Sequence, residues 1–275
     1  MRLTTKIIAG IILSTLLITL VLIISFSFSY RKNFKQATSY YIELPQNNFT
    51  GIELSSFYTV VIDEVPYESN EYKYYITDEC HVHFDSTAET DDPVMMYIPE
   101  SYKDFVSTDT YGDTLKVKID KHEIGDKYKS EKHRHHSISG INIRFRVSNI
   151  DVINNVRNLS VNISNIETDR IKVNSNGDIF VMSCKAQYIE PILKSNNFNL
   201  NMTNSEAKKV YLDLDNIRNR NIENSKIEEE YITGSGTHYI TRQQSESGKI
   251  NWAPKNDNAE LIIKIPGEPT QIIFP

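Results

Sequence analysis

Residues 196–215, NNFNLNMTNSEAKKVYLDLD, and residues 216–235, NIRNRNIENSKIEEEYITGS, read as two copies of one approximate twenty-residue unit. Asn204-Ser205 returns as Asn224-Ser225, Tyr211-Leu212 returns as Tyr231-Ile232, and Asn176, Asn196 and Asn216 mark the same interval. Between these marks lie short alternating apolar runs: Phe198, Leu200 and Met202, then Val210, Leu212 and Leu214. Alternation places one apolar face on each short strand. Such a strand cannot bury that face alone, and stacking similar units supplies the missing wall. A unit of this length holds two or three short strands and tight corners, so the pattern predicts an all-β body built as a β-solenoid. Asparagine suits the corners because it tolerates positive φ and bonds locally to backbone, and stacked asparagines can share amide hydrogen bonds. The competing reading is an antiparallel sandwich with Asn-rich turns of similar spacing. Val210-x-Leu212-x-Leu214-x-Asn216 also matches part of a leucine-rich repeat. Leucine is infrequent in the neighbouring units, however, and none shows a helical return.

The alternation extends in both directions from this stretch. Upstream, Leu159, Val161 and Ile163, and Ile141 to Val147, alternate cleanly, as do Leu115, Val117 and Ile119. Shorter strands are expected over Phe49–Leu54, Tyr58–Ile62, Tyr72–Ile76, His81–Phe84 and Val94–Ile98. Residues 120–140, DKHEIGDKYKSEKHRHHSISG, show no apolar period and read as an exposed charged loop. Downstream, Leu261–Ile265 and Ile272–Phe274 complete the set. Sixteen Tyr and eleven Phe support strands over helices. With 39% hydrophobic and 24% charged residues, the bulk can bury a core.

Ile7 to Phe26, IIAGIILSTLLITLVLIISF, carries no charge and is long enough to span a bilayer as a helix. Arg2 and Lys6 precede it, as in a signal anchor or a cleaved signal peptide. The division is therefore a transmembrane helix within 1–29, a polar tether over 30–47 and a β-domain over 48–275. The chain is expected at the cell membrane, crossing once through residues 7–26 with the β-domain outside the cytoplasm; secretion after signal cleavage is the alternative. A net charge of −6 and a pI near 5.7 argue against a nucleic-acid partner. Two cysteines, Cys80 and Cys184, make no disulfide framework, and whether they pair is left open by the sequence.

The ordered motifs resemble a known family. Phe49-Thr-Gly-Ile-Glu-Leu54 followed by Tyr58-Thr-Val-Val-Ile62 resembles the opening strand pair of the bacterial DUF2807 family, also called the auto-transporter adhesin head GIN domain. Gly112-Asp-Thr-Leu-Lys-Val-Lys118 resembles its G-x-x-L-x-I strand, and Ile141–Val147 with Val156–Ile163 resembles the start of its repeated strands. The similarity covers about residues 48 to 245. Where the family places Gly-Ser and Gly-Ala pairs at corners, this chain has Asn, with Gly234-Ser-Gly236 the clearest exception. The resemblance implies an exported envelope protein with a right-handed β-helix-like body, and it brings no catalytic residues.

Four groups of residues are candidates for chemistry. His81 and His83 share a strand face and could hold part of a metal site. His133, His135 and His136 form the densest histidine cluster, flanked by Lys132 and Arg134, which would repel a cation. Glu228-Glu-Glu230, and Asp213 with Asp215, are carboxylate groupings of the kind glycoside hydrolysis uses, although acidic runs are usually solvated. Trp252 could stack a sugar ring or cap the end of the column. No phosphate loop, G-x-S-x-G or H-E-x-x-H occurs. The sequence therefore predicts a non-enzymatic envelope protein with no cofactor. It would be a binding or adhesion-type module whose partner is an envelope protein or glycan. A structural component of an envelope assembly and a glycan-active enzyme are the alternatives.

Overall fold

The computed structural model describes residues 14–25, 39–65, 74–77, 80–86, 92–128, 135–155, 159–194, 197–241, 247–264 and 271–274. Residues 14–25 are helical and exposed to solvent. Among the described residues no helix is long and apolar enough to cross a membrane. Residues 7–13 and 26 of the apolar run lie outside the described part.

Nearly all the rest is β-structure in two large sheets. In order across the eight-stranded sheet come Asn219–Glu223, Asn199–Thr203, Ile179–Met182, Leu159–Ser164, Cys80–Ser86, Asn142–Val147, Val94–Pro99 and Phe49–Leu54. The nine-stranded sheet runs Ser247–Pro254, Lys226–Gly234, Glu206–Asp213, Lys185–Leu193, Glu167–Ser175, Val152–Asn155, Thr59–Val65, Thr114–Asp120 and Val106–Tyr111. From Leu159 to Gly234 the chain alternates between the sheets, and its neighbours in each are parallel; beyond it, Thr237–Thr241, Glu260–Lys264 and Gln271–Phe274 form a small separate sheet. Glu206 pairs with Lys226 and Tyr211 with Tyr231, so the twenty-residue interval is a strand register. The interval flexes: Glu167 pairs with Lys185, eighteen residues on, and Lys185 with Glu206, twenty-one on. Within the two large sheets, the antiparallel pairs among the described residues lie near the N-terminal end, and Glu260–Lys264 pairs antiparallel with Gln271–Phe274 in the small separate sheet.

Corner chemistry explains the period. Each passage from the eight-stranded to the nine-stranded sheet takes two residues. The first is in the left-handed region, at Asn165, Ser183, Asn204 and Asn224, with φ of 57°, 53°, 52° and 50°. Asparagine enters that region at low cost because its side chain bonds locally. The second residue, Ile166, Cys184, Ser205 or Ser225, is buried. There the hydroxyls form a ladder. Ser205 Oγ accepts from Cys184 N (3.1 Å) and donates to Thr203 O (2.9 Å), and Ser225 Oγ accepts from Ser205 N (3.2 Å) and donates to Glu223 O (3.0 Å). The buried N–H groups of Cys184 and Ser205 thus each meet an acceptor in the next circuit. Outside the corners, Asn219 Nδ2 donates to Asn199 Oδ1 (2.8 Å), and Asn199 Nδ2 to Asp178 (3.0 Å). Asn176 and Asn216 share the interval without adopting positive φ, and Asn196 lies outside the described residues.

The inward rows of both sheets form one apolar core. In the eight-stranded sheet Val82, Val161, Ile179 and Leu200 lie in register; in the nine-stranded sheet Ile171, Ile189 and Val210 do. At Gly177 the backbone of Leu159 and Ser160 passes close by. A Cβ there would stand 2.2 Å from the Leu159 carbonyl oxygen and 2.8 Å from Ser160 N. Because backbone must move to admit a methyl group, Gly177→Ala is expected to destabilise the fold by about 1–3 kcal/mol, read as a lowered urea midpoint.

Two expectations are corrected. The stretch over 120–140 is not a plain exposed loop: Lys121–Tyr128 is a helix burying Lys121, Ile124 and Gly125, and His135–Ile138 is a strand between Ser39–Ile42 and Tyr74–Thr77. An eight-residue helix with two inward contacts and a glycine leaves no apolar period to read. The tether is likewise shorter than 30–47, because Ser39–Ile42 joins that small sheet and Ile42 and Leu44 are buried.

Candidate functional site

The outward face of the nine-stranded sheet carries the most developed surface feature. Along Glu167–Ser175, Lys185–Leu193, Glu206–Asp213 and Lys226–Gly234, the pairing skips one residue per strand: Asp169, Gln187, Lys208 and Glu228. At each skip alternation breaks. Ala186 is buried, Gln187 and Tyr188 both turn outward, and Ile189 is buried again. The repeated bend lines up a depression of about 620 Å³ across these strands. Its rim is a charge ladder in which Glu167, Lys185, Glu206 and Lys226 are register partners of alternating sign. Lys185 lies 3.0 Å from Glu167, and Lys226 lies 3.5 Å from Glu206. The bond and charge of Glu167 hold the Lys185 ammonium above its usual range.

Beside the bend stands a tyrosine ridge. Tyr188 and Tyr211 are 43% and 37% exposed, large values for aromatic rings held on sheet interiors. Tyr211 and Tyr231 stack at 5.0 Å between centroids and 18° between planes. A second depression, about 480 Å³, opens between Tyr188 and Tyr211 over Asp169, Arg170 and Glu190, and a third of about 330 Å³ lies against Tyr211 and Tyr231. Glu190 accepts from Arg170 (2.6 Å) and Lys172 (3.2 Å). Partial burial opposes ionisation of Glu190, but these two cations together hold its carboxyl below the ordinary range. The face thus offers aromatic rings, paired charges and hydrogen-bonding groups on a backbone fixed from both sides.

The candidates named from sequence fall elsewhere. His81 and His83 are neighbours, 6.4 Å between rings, beneath the half-exposed outer side of the eight-stranded sheet. Burial, then Arg144 and His81, push the His83 imidazole below its usual range, which keeps it neutral. Among the described residues no three His, Cys, Asp or Glu side chains are grouped to hold a metal ion. His133 lies outside the described residues, and of His135 and His136 only the backbone is described. Asp213 and Asp215 do meet, but on Lys255, whose Nζ lies 2.6 Å from one and 2.8 Å from the other. Asp215 also accepts from Ser235 N (2.8 Å) and faces His238 (3.0 Å). Although burial opposes it, these partners hold the Asp215 carboxyl well below the usual range, so it cannot serve as a general acid. The acidic run divides: Glu228 and Glu229 face outward at the bend, while Glu230 is buried against Arg220 at 2.8 Å. Trp252 follows Ile232 in an inward row and packs against the core, the position of a cap. Cys80 and Cys184 are buried free thiols. Burial pushes Cys80 up to about 11, far from a nucleophile's range.

No protein-family model and no curated protein matches the chain. Several solved structures are similar in shape. A "putative lipid binding protein" from Parabacteroides distasonis is 11% identical, with 84% of this chain and 98% of that one covered and a TM-score of 0.42. A "putative adhesin" from Bacteroides fragilis is 15% identical, covering 79% and 93%, with a TM-score of 0.43. Another of that description from Parabacteroides distasonis is 10% identical, covering 83% and 100%, with a TM-score of 0.46. A likeness this distant fixes no function.

The tyrosine ridge was not among the candidates drawn from sequence. Tyr211 and Tyr231 served there only to mark the period. Their signal was present nonetheless, since both stand between inward positions, at Val210 and Leu212 and at Glu230 and Ile232.

Proposed function

We propose that this chain is a non-enzymatic, extracytoplasmic binding module on a right-handed β-helix-like solenoid. Residues 7–26 anchor it in the cell membrane or direct its export, and its ligand sits on the outward face of the nine-stranded sheet. The observation that carries this reading is the depression at the bend together with the two that border the tyrosine ridge beside it. A rigid sheet holds such groups in place at little ordering cost on binding. Hydrolysis is disfavoured because Asp213 and Asp215 are both taken up by one lysine, Asp215 is held ionised, and Glu230 is buried in an ion pair.

The test is co-sedimentation of the full chain, purified in detergent and reconstituted in vesicles, with isolated envelope polymer. The native chain is expected to sediment saturably, and Tyr188→Ala/Tyr211→Ala is expected to lose most of that binding. Equal sedimentation of the two proteins would place the ligand elsewhere. Release of reducing ends from the same polymer would overturn the non-enzymatic reading.

A further inference from the structure

We infer that the ligand of this face is a neutral, extended glycan lying across the strands, with one sugar ring per strand. The inference rests on the binding reading above and adds the chemical class and direction of the ligand. The depression at the bend is lined in turn by residues 167–169, 185–187, 206–208, 226–228 and 248. Its long direction therefore crosses the strands. Adjacent strands stand about 4.8 Å apart, close to the advance of one pyranose ring in an extended chain. A charged hydrogen-bonding group recurs at that step because the register is in phase, as in Glu167, Lys185, Glu206 and Lys226.

The chemistry of the rungs selects a polyol. A hydroxyl both donates and accepts, so alternating carboxylates and ammoniums can each bond one. A polyanion such as nucleic acid would meet a carboxylate on every second rung, and Glu190 already holds the nearby Arg170 and Lys172. An extended peptide recognised by strand addition needs unpaired backbone. These strands are paired on both sides, so backbone recognition is closed to it. Lipid chains would need an apolar groove, and the depression at the bend is lined mainly by charged and small residues. Tyr188 and Tyr211 complete the site. Their rings offer apolar faces with polar edges, as stacking on sugar C–H groups requires, and the depression between them borders the bend at Asp169. Cross-strand stacking accounts for Tyr211 against Tyr231, but not for the exposed ring of Tyr188 beside its own depression.

The experiment is calorimetry and array binding of the full chain in detergent. The probes are linear neutral oligosaccharides, cello- and chito-series from disaccharide to about hexasaccharide, neutral envelope polysaccharides, and anionic polysaccharides in parallel. Binding to a neutral linear glycan is expected. Affinity should rise with length and level off near five rings, the span of about five strands. Salt should change it little. Tyr188→Ala and Tyr211→Ala should each weaken binding about tenfold, while Asn201→Ala on the opposite sheet should not. Sedimentation with envelope polymer but no binding to any neutral glycan would overturn the glycan assignment and leave the binding module standing. Strong, salt-sensitive binding of an anionic polymer would overturn the neutral assignment, and affinity independent of length would overturn the direction. Loss of both sedimentation and glycan binding would sink both readings.

Discussion

Replacing Arg220 with leucine is expected to destabilise the protein by about 3–5 kcal/mol. In the eight-stranded sheet the inward row Val82, Val161, Ile179 and Leu200 ends on Arg220; in the nine-stranded sheet the row Ile171, Ile189 and Val210 continues into Glu230. The two meet at 2.8 Å with side chains 4% and 0% exposed. Two aliphatic rows therefore close on a buried ion pair. Removing the cation strands a carboxylate in the core, and its desolvation is no longer offset. Replacing both partners is a different experiment. Arg220→Leu/Glu230→Val continues both apolar rows and is expected to match the native protein or exceed it by about 1–4 kcal/mol. Urea midpoints of the two singles and the double close the cycle. A single variant within 1 kcal/mol of native would mean that water reaches Glu230.

Lys121→Met is expected to cost a similar amount, about 3–5 kcal/mol, with the loss felt first near the N-terminal end. Lys121 pairs with Glu64, their side chains 2% and 8% exposed, beneath the first turn of the helix Lys121–Tyr128. Glu64 lies on Thr59–Val65, opposite Ile119 on the strand that leads into that helix. The pair therefore ties helix to sheet. Hydrogen exchange should rise across 121–128 in Lys121→Met while strands beyond residue 199 keep their protection. Uniform loss of protection would show instead that the ends are fully coupled. Glu64→Gln, which keeps an acceptor for the ammonium, should cost less than Lys121→Met.

These two pairs also show where sequence stops. Alternation exposed most strands, because one apolar face must be buried and the pattern has to repeat wherever strands stack. The corners were legible through Asn204-Ser205 and Asn224-Ser225, since few residues tolerate positive φ. Ser183-Cys184 performs the same turn without an asparagine, and the interval varies between eighteen and twenty-one residues, so earlier circuits were harder to phase. The strand Asn219–Glu223 was hidden by its composition, NRNIE, in which an inward arginine looks like a solvated one. Glu228-Glu-Glu230 looked uniformly solvated for a related reason: only the bend at Glu228 decides that two of the three face water and the third does not. Lys121 lay in a stretch with no period, and nothing local connects it to Glu64. Burial of a charge is a property of pairs, and a single sequence does not pair residues distant along the chain.

The binding face exists only if successive strands are parallel and in register, and two engineered disulfides test that directly. Glu206 pairs with Lys226 and Asp213 with Thr233, at opposite ends of the same two strands. In parallel register both pairs stand within disulfide reach. An antiparallel arrangement of these two strands allows one pair at most. Native Cys80 and Cys184 are buried and should not compete. Glu206→Cys/Lys226→Cys and Asp213→Cys/Thr233→Cys, each oxidised under native conditions and mapped by peptide mass, are both expected to cross-link within one chain. Cross-linking of only one, or of neither, would contradict the parallel ladder and the binding face built on it.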